Sequence, residues 1–246
     1  MDENVLKPIA NKGPTYRRRV YSTIKDAILS GLIGVEKPLV EEQLAAWLNI
    51  SRTPVREALA ILEHEGLIVP RGSRGLYVRQ LSRAEFVELF MANEMIEPSL
   101  ARRAAFLSSE EHIRLMEENI SRGRHYAREG DFIKFLAAGR EFHRLVGEAA
   151  ENVPLAEFVV RNEERTDVFL IGAGKTSDSQ TMLASIREHE AILNAIIKRD
   201  PDEAARLVIV HAQAIRERFN DLFGEPQSAV DEDNWGDLNR LVEDQG

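Results

Sequence analysis

The chain has 246 residues, 43% of them apolar, and its 32 Lys and Arg against 41 Asp and Glu give a formal net charge of -9. That charge is uneven: residues 1–80 hold 12 Lys and Arg against 9 Asp and Glu, net +3, whereas residues 81–246 hold 20 against 32, net -12. Cysteine is absent, which excludes a disulfide framework, a Cys-type zinc site and a thiol nucleophile and suits a reducing cytoplasm. Residues 1–15, MDENVLKPIANKGPT, begin acidic and contain no long apolar stretch, so a polar arm is expected there rather than a leader. No later stretch approaches the roughly 20 apolar residues of a membrane span, so a soluble cytoplasmic protein is expected.

From residue 16 the pattern turns regular. Val20, Ile24, Ile28 and Leu29 recur near the helical period, and Gly31 stands where that first helix should stop. Glu41 to Leu48 reads as a second short helix with Leu44, Ala45 and Leu48 inward and Asn49 as its stop. A third begins at ISRTPVREALAIL. Ser51 is placed to cap it, Pro54 sits in the first turn, where a missing N–H costs nothing, and Val55, Ala58, Leu59 and Leu62 form the inward stripe. Two short apolar runs around RGSRG then predict a β-hairpin whose turn draws on glycine for positive φ. Three helices and a hairpin make a winged helix-turn-helix over residues 16–80, and the local positive charge suits an anionic partner.

Arg52 and Arg56 lie four residues apart and therefore project from one face, away from Val55, Leu59 and Leu62. With Ser51 and Thr53 they offer charged and neutral donors at the positive end of a helix dipole, a composition suited to phosphate oxygens and base edges. These residues carry a resemblance. LVEEQLAAWLNISRTPVREALAILEHEGLIVPRGSRGLYV, within Tyr16 to Val78, is similar to the DNA-binding domain of the GntR family of bacterial transcription regulators. The resemblance implies that Arg52, Thr53 and Arg56 contact a double-stranded operator and that Gly72, at the wing tip, approaches the minor groove. Arg71 and Arg74 fit the wing's phosphate contacts by their chemistry. Glu42 stands where some members carry a basic DNA contact.

From residue 81 to 223 an all-α domain is expected, with helices near Arg83–Leu107, Ser109–Glu129, Phe132–Glu151, Leu155–Leu170, Thr181–Arg199 and Pro201–Leu222. The fold class is therefore mainly α: a winged helix-turn-helix followed by a bundle of six to seven helices. GAGK, in the loop near residue 174, lacks the spacing of a P-loop. An acidic C-terminal tail fills residues 224–246, with NWGDLNRLV as a candidate short helix.

His143, His189 and His211 each sit on the apolar side of a different helix. One inward histidine is more often a hydrogen-bonded core residue than a ligand, but a single divalent ion would satisfy three buried imidazoles at once. Zn²⁺ or Ni²⁺ suits imidazole better than Mg²⁺. This half of the chain is similar to the effector domain of the FadR-type branch of the family, called FCD, and the resemblance matches the same three histidines to metal ligands. It also implies an effector pocket around Asn93, Glu97 and Gly139. Two positions depart from the family pattern: Gly139 replaces a ligating Asp or Asn, leaving an extra open coordination position, and Asn93 replaces an arginine that would grip an acid. The expected protein is a regulator that binds a palindromic operator as a homodimer and responds to a small effector, possible classes including an organic acid. An architectural DNA-binding protein whose helical domain only dimerises is the alternative, followed by a His-metal hydrolase. The hydrolase reading lacks any HExxH-like pairing of an acid/base with the histidines.

Overall fold

The computed structural model describes residues 15–72 and 75–223. The expectations for the N-terminal arm over residues 1–14, for Arg74 and for the C-terminal tail fall outside these residues. The N-terminal unit runs α1 (Thr15–Leu29), β1 (Pro38–Leu39), α2 (Glu41–Leu48), α3 (Arg52–His64), β2 (Ile68–Pro70) and β3 (Leu76–Val78). Val20, Ile24, Leu48, Val55 and Leu62 lose all solvent contact in its core, each such side chain contributing roughly 1.5–3 kcal/mol of hydrophobic stabilisation. Asn49 ends α2 in the left-handed region at φ 53, with its N–H bonded to the carbonyls of Ala45 and Ala46. The hairpin is β2–β3, and β1 adds to its other edge, giving the antiparallel order β1-β3-β2 with Leu39 opposite Leu76 and Val69 opposite Tyr77. Periodicity does not reveal β1, because two residues show no alternation.

The remainder is helical: α4 (Arg83–Leu107), α5 (Glu110–Glu129), α6 (Phe132–Ala149), α7 (Val153–Gly172), α8 (Ser179–Ile197), α9 (Pro201–Arg218) and α10 (Asn220–Phe223). Each of the six long helices starts at a side chain that accepts a first-turn N–H: Ser82, Ser109, Asp131, Asn152, Asp178 and Asp200. The caps at Asn152 and Asp178 explain why α7 and α8 begin two residues before their apolar periodicity does. Phe219, at φ -116 and ψ 35, breaks the last expected helix into α9 and α10. The bundle core gathers Leu100, Met116, Phe142, Val159, Ile192 and Ile196. At Gly147 a Cβ would come within 2.5 Å of the Ala156 Cβ, so α6 and α7 cross too closely for any side chain there.

The segment RQLSRAEF reads as the joint between the two units, but a broader contact lies on α7. Val168 joins the core of the winged unit. Lys25 on α1 donates to Glu164 Oε1 at 2.8 Å and to Glu65 Oε2 at 3.1 Å, while the Tyr21 hydroxyl donates to Glu65 Oε1 at 2.6 Å. Burial would depress the Lys25 ammonium, but the Glu164 and Glu65 carboxylates outweigh it and hold the group protonated. Arg165 donates to the backbone carbonyl of Glu65, and Ile171 packs over Gly31.

Candidate functional site

Two places bring the singled-out residues together. The first is the N-terminus of α3. Ser51 occupies the cap position in extended conformation at φ -72 and ψ 162, but its side chain makes no capping bond, contrary to the usual role of serine there. Arg52, Thr53 and Arg56 are exposed, and the opposite stripe of Val55, Leu59 and Leu62 is buried. Both arginines meet carboxylates from α2. Arg56 donates through Nε and Nη2 to Glu41 at 3.0 to 3.2 Å, and Arg52 donates through Nη1 to Glu42 Oε1 at 2.7 Å. The Arg56 hydrogen bonds hold the Glu41 carboxyl below its ordinary range. Exposed pairs of this kind add little stability, and their effect is to hold two guanidinium forks side by side, facing outward. Glu41 thus belongs to the site, although composition alone marked it only as a helix-starting acid.

On the wing, Gly72 is exposed at φ 56, and Gly75, at φ 99, likewise uses the left-handed backbone that glycine permits. The Arg71 guanidinium lies 4.7 Å from the centre of the Tyr77 ring, a cation–π contact that stiffens the base of the tip.

The second place is a cavity of about 150 Å³ inside the bundle. His143 of α6, His189 of α8 and His211 of α9 converge there, each offering a ring nitrogen within 4.8 Å of the others. His189 Nε2 and His211 Nε2 are 3.2 Å apart. His211 Nδ1 lies 2.7 Å from Glu188 Oε2, and Glu188 is held in turn by Arg218. His143 Nδ1 lies 2.5 Å from Glu97 Oε2, and its Nε2 faces Glu163 Oε1 at 3.6 Å. On His143 and His211 the carboxylate at Nδ1 fixes the tautomer and leaves Nε2 pointing inward, as metal-ligating histidines require. Four tetrahedral ligands about 2.05 Å from a zinc ion lie roughly 3.3 Å from one another, close to the His189–His211 separation, so the histidines fit a transition ion. Such an ion would supply a fixed positive charge and open coordination positions for a ligand's polar head.

Burial lowers the pKa of His189 well below its ordinary value, and burial likewise lowers His211 despite its bond to Glu188, so both rings are neutral at neutral pH. His143 differs. Burial alone would lower it, yet the Glu163 and Glu97 carboxylates together push it up to about 10.

Of the other pocket positions, Asn93 is buried and committed to the scaffold, donating to the Val159 carbonyl at 3.1 Å and accepting from Asn162 Nδ2 at 2.9 Å. Gly139 borders the cavity and has open space where a side chain would stand. Arg140 pairs with Asp167, and Arg218 with Glu188, so both cationic forks already hold carboxylates. Glu163, Asp167 and Glu188 escape a reading based on apolar periodicity. For Glu163 and Asp167 the signal was a polar run, RNEERTD, inside a helix where Asn162, Glu164 and Asp167 are buried; Glu188 stands directly before His189 in the sequence.

A profile described as "Bacterial regulatory proteins, gntR family" matches residues 16–78, and the FCD domain matches residues 88–214. The HTH-type transcriptional regulator YdfH of Escherichia coli O6:H1 is 31% identical over 84% of this chain and 90% of its own. The HTH-type transcriptional repressor RspR of Escherichia coli K12 is 31% identical over 81% of this chain and 87% of its own. Among solved structures, E. coli McbR/YncC superposes with a TM-score of 0.72 over 84% of this chain and 96% of its own, at 17% identity, a likeness of fold.

Proposed function

Because the chain belongs to the GntR family of bacterial regulatory proteins and carries an FCD effector domain, we propose that it is a ligand-responsive repressor that binds a palindromic operator as a homodimer. The family is one of regulators, not of enzymes. The observation that carries the reading is the outward pair Arg52 and Arg56, presented on a helix whose unit is tied by α7 to an enclosed cavity. In this reading Arg52, Thr53 and Arg56 read the major groove, Ser51 and Arg71 hold phosphates, Gly72 lets the wing approach the minor groove, and Arg74 joins it. The site of action is the bacterial cytoplasm, where the operator lies. Selection of duplexes from random DNA should return a two-fold symmetric motif. Binding that ignores sequence would favour the architectural alternative and overturn this one.

The second copy docks on the helical domain. Met91 and Met95, one turn apart on α4, are 46% and 80% exposed, apolar surface of the sort an isologous contact buries. Met95→Glu is expected to shift the sedimenting species from dimer towards monomer. An unchanged dimer would move the interface elsewhere.

The effector is a small molecule whose apolar body lies near Phe86, Phe132 and Leu136 and whose head faces the histidines. With Asn93 bonded into the scaffold and Arg140 and Arg218 already paired, an organic acid would be received by a Zn²⁺ or Ni²⁺ ion on His143, His189 and His211. Coupling runs through α7, which turns Glu163, Thr166 and Asp167 towards the cavity and Glu164, Arg165 and Val168 towards the winged unit. A typical coupling free energy is about 1–3 kcal/mol. Lys25→Met is expected to leave operator binding intact without effector while bringing the ratio of operator affinities with and without effector close to one. An unchanged ratio in anisotropy titrations would take α7 out of the path.

A further inference from the structure

We infer that Glu163, reaching in from α7, is the fourth protein ligand of the histidine metal site and supplies the carboxylate that Gly139 lacks. The inference rests on the metal-binding reading above. One turn before His143, α6 carries Gly139, where a Cβ would meet nothing within 4 Å, so that side of the site has neither ligand nor bulk. Glu163 approaches the same histidine from another helix. Its Oε1 stands 3.6 Å from His143 Nε2, near the roughly 3.3 Å edge of a tetrahedron of zinc ligands. Its Oε2 is enclosed without a hydrogen-bond partner. A buried carboxylate oxygen left unpaired carries a desolvation penalty that a cation at this point would offset.

The Arg140 guanidinium, which borders the cavity, is occupied by Asp167. Glu97 lies on the far ring nitrogen of His143 and so acts as a positioning residue, fixing the ring with Nε2 inward. Glu97, His143 and Glu163 form a second group of potential ligands that shares His143 with the three-histidine group, so an ion on the histidines would draw Glu163 in from the next group. Without an ion, a proton on His143 does the ion's work between the two carboxylates. A divalent ion on three neutral imidazoles and one carboxylate leaves a net charge of +1 in the enclosed space, where three imidazoles alone would leave +2.

The full-length protein, stripped of metal, is titrated with Co²⁺ against a competing chelator, and the visible cobalt bands report coordination. Glu163→Gln is expected to weaken Co²⁺ by about a hundredfold and alter the bands, whereas Glu97→Gln, acting through the ring, should weaken it about tenfold and leave the band pattern unchanged. Adding Gly139→Asp to Glu163→Gln should restore affinity, because residue 139 lies one turn from His143 on the same face. If Glu163 merely pairs with a protonated His143, its neutralisation would instead ease proton competition and tighten Co²⁺ at neutral pH, which overturns the inference while leaving the metal site standing. A parent protein that takes up neither Co²⁺ nor Zn²⁺ overturns both. Should the glutamine variant fail to fold, Glu163→Asp, one methylene shorter, carries the same test, and unchanged bands and affinity there count against the assignment.

Discussion

Replacing Arg56 with alanine is expected to lower affinity for the selected operator by roughly ten- to a hundredfold and to relax base preference, with little change in melting temperature. The guanidinium is exposed and, among the described residues, pairs with Glu41 on α2, so nothing in the core depends on it. The loss should fall on specific binding. An alanine at Arg74 is expected instead to weaken all duplexes alike and to reduce the salt slope by about one. Glu41→Gln provides a further contrast: Arg56 and Arg52 would gain freedom, so affinity for random DNA should hold or rise while discrimination falls. Anisotropy on operator and scrambled duplexes at several salt concentrations measures all three. Unchanged operator affinity in the Arg56 variant would remove α3 as the reading helix.

Metal withdrawal is expected to lower the melting temperature of the helical domain by roughly 10 °C. An ion held at a thousand times its dissociation constant stabilises the folded state by about 4 kcal/mol, and each kcal/mol moves the midpoint of a domain of this size by about 2–4 °C. The pH dependence follows from the protonation states. His189 and His211 are neutral at neutral pH, whereas the Glu163 and Glu97 carboxylates raise His143 above its ordinary range and burial raises the Glu163 carboxyl despite the imidazolium it faces. Metal must displace these protons, so uptake should strengthen as pH rises and weaken as it falls through neutrality. Calorimetry in buffers of different ionisation enthalpy should report net proton release on metal uptake at pH 7. The metal-free protein runs the other way: the raised His143 pKa contributes stability that is complete below about 6.5 and lost as pH rises towards 10. His189→Ala should abolish the chelator effect. A melting temperature indifferent to chelator in the parent would leave the cavity as an organic-ligand site.

Much of the fold was legible along the chain because its elements announce themselves locally. The bounds Glu41–Leu48 and Arg83–Leu107 read from the sequence coincide with α2 and α4, since an apolar period ending at a capping or left-handed residue is a short-range signal. The three histidines were legible for the same reason: each lies on the buried stripe of its own helix. Where a helix starts at a cap beyond its apolar stripe, as at Asn152 and Asp178, periodicity placed the start too late.

Composition and periodicity alone therefore determined that this chain has a basic N-terminal unit, an acidic helical partner, no thiol chemistry and three imidazoles turned inward. Only the tertiary structure decided what those groups meet. Glu41 reaches Arg56 from fifteen residues away, Glu97 and Glu163 close on His143 from α4 and α7, and Lys25 joins Glu65 to Glu164 across the two units. A helical pattern states which face of a segment is buried, but the partner on that face depends on how α4, α6, α7, α8 and α9 pack together, and that packing brings together residues far apart in sequence whose chemistry no local period records.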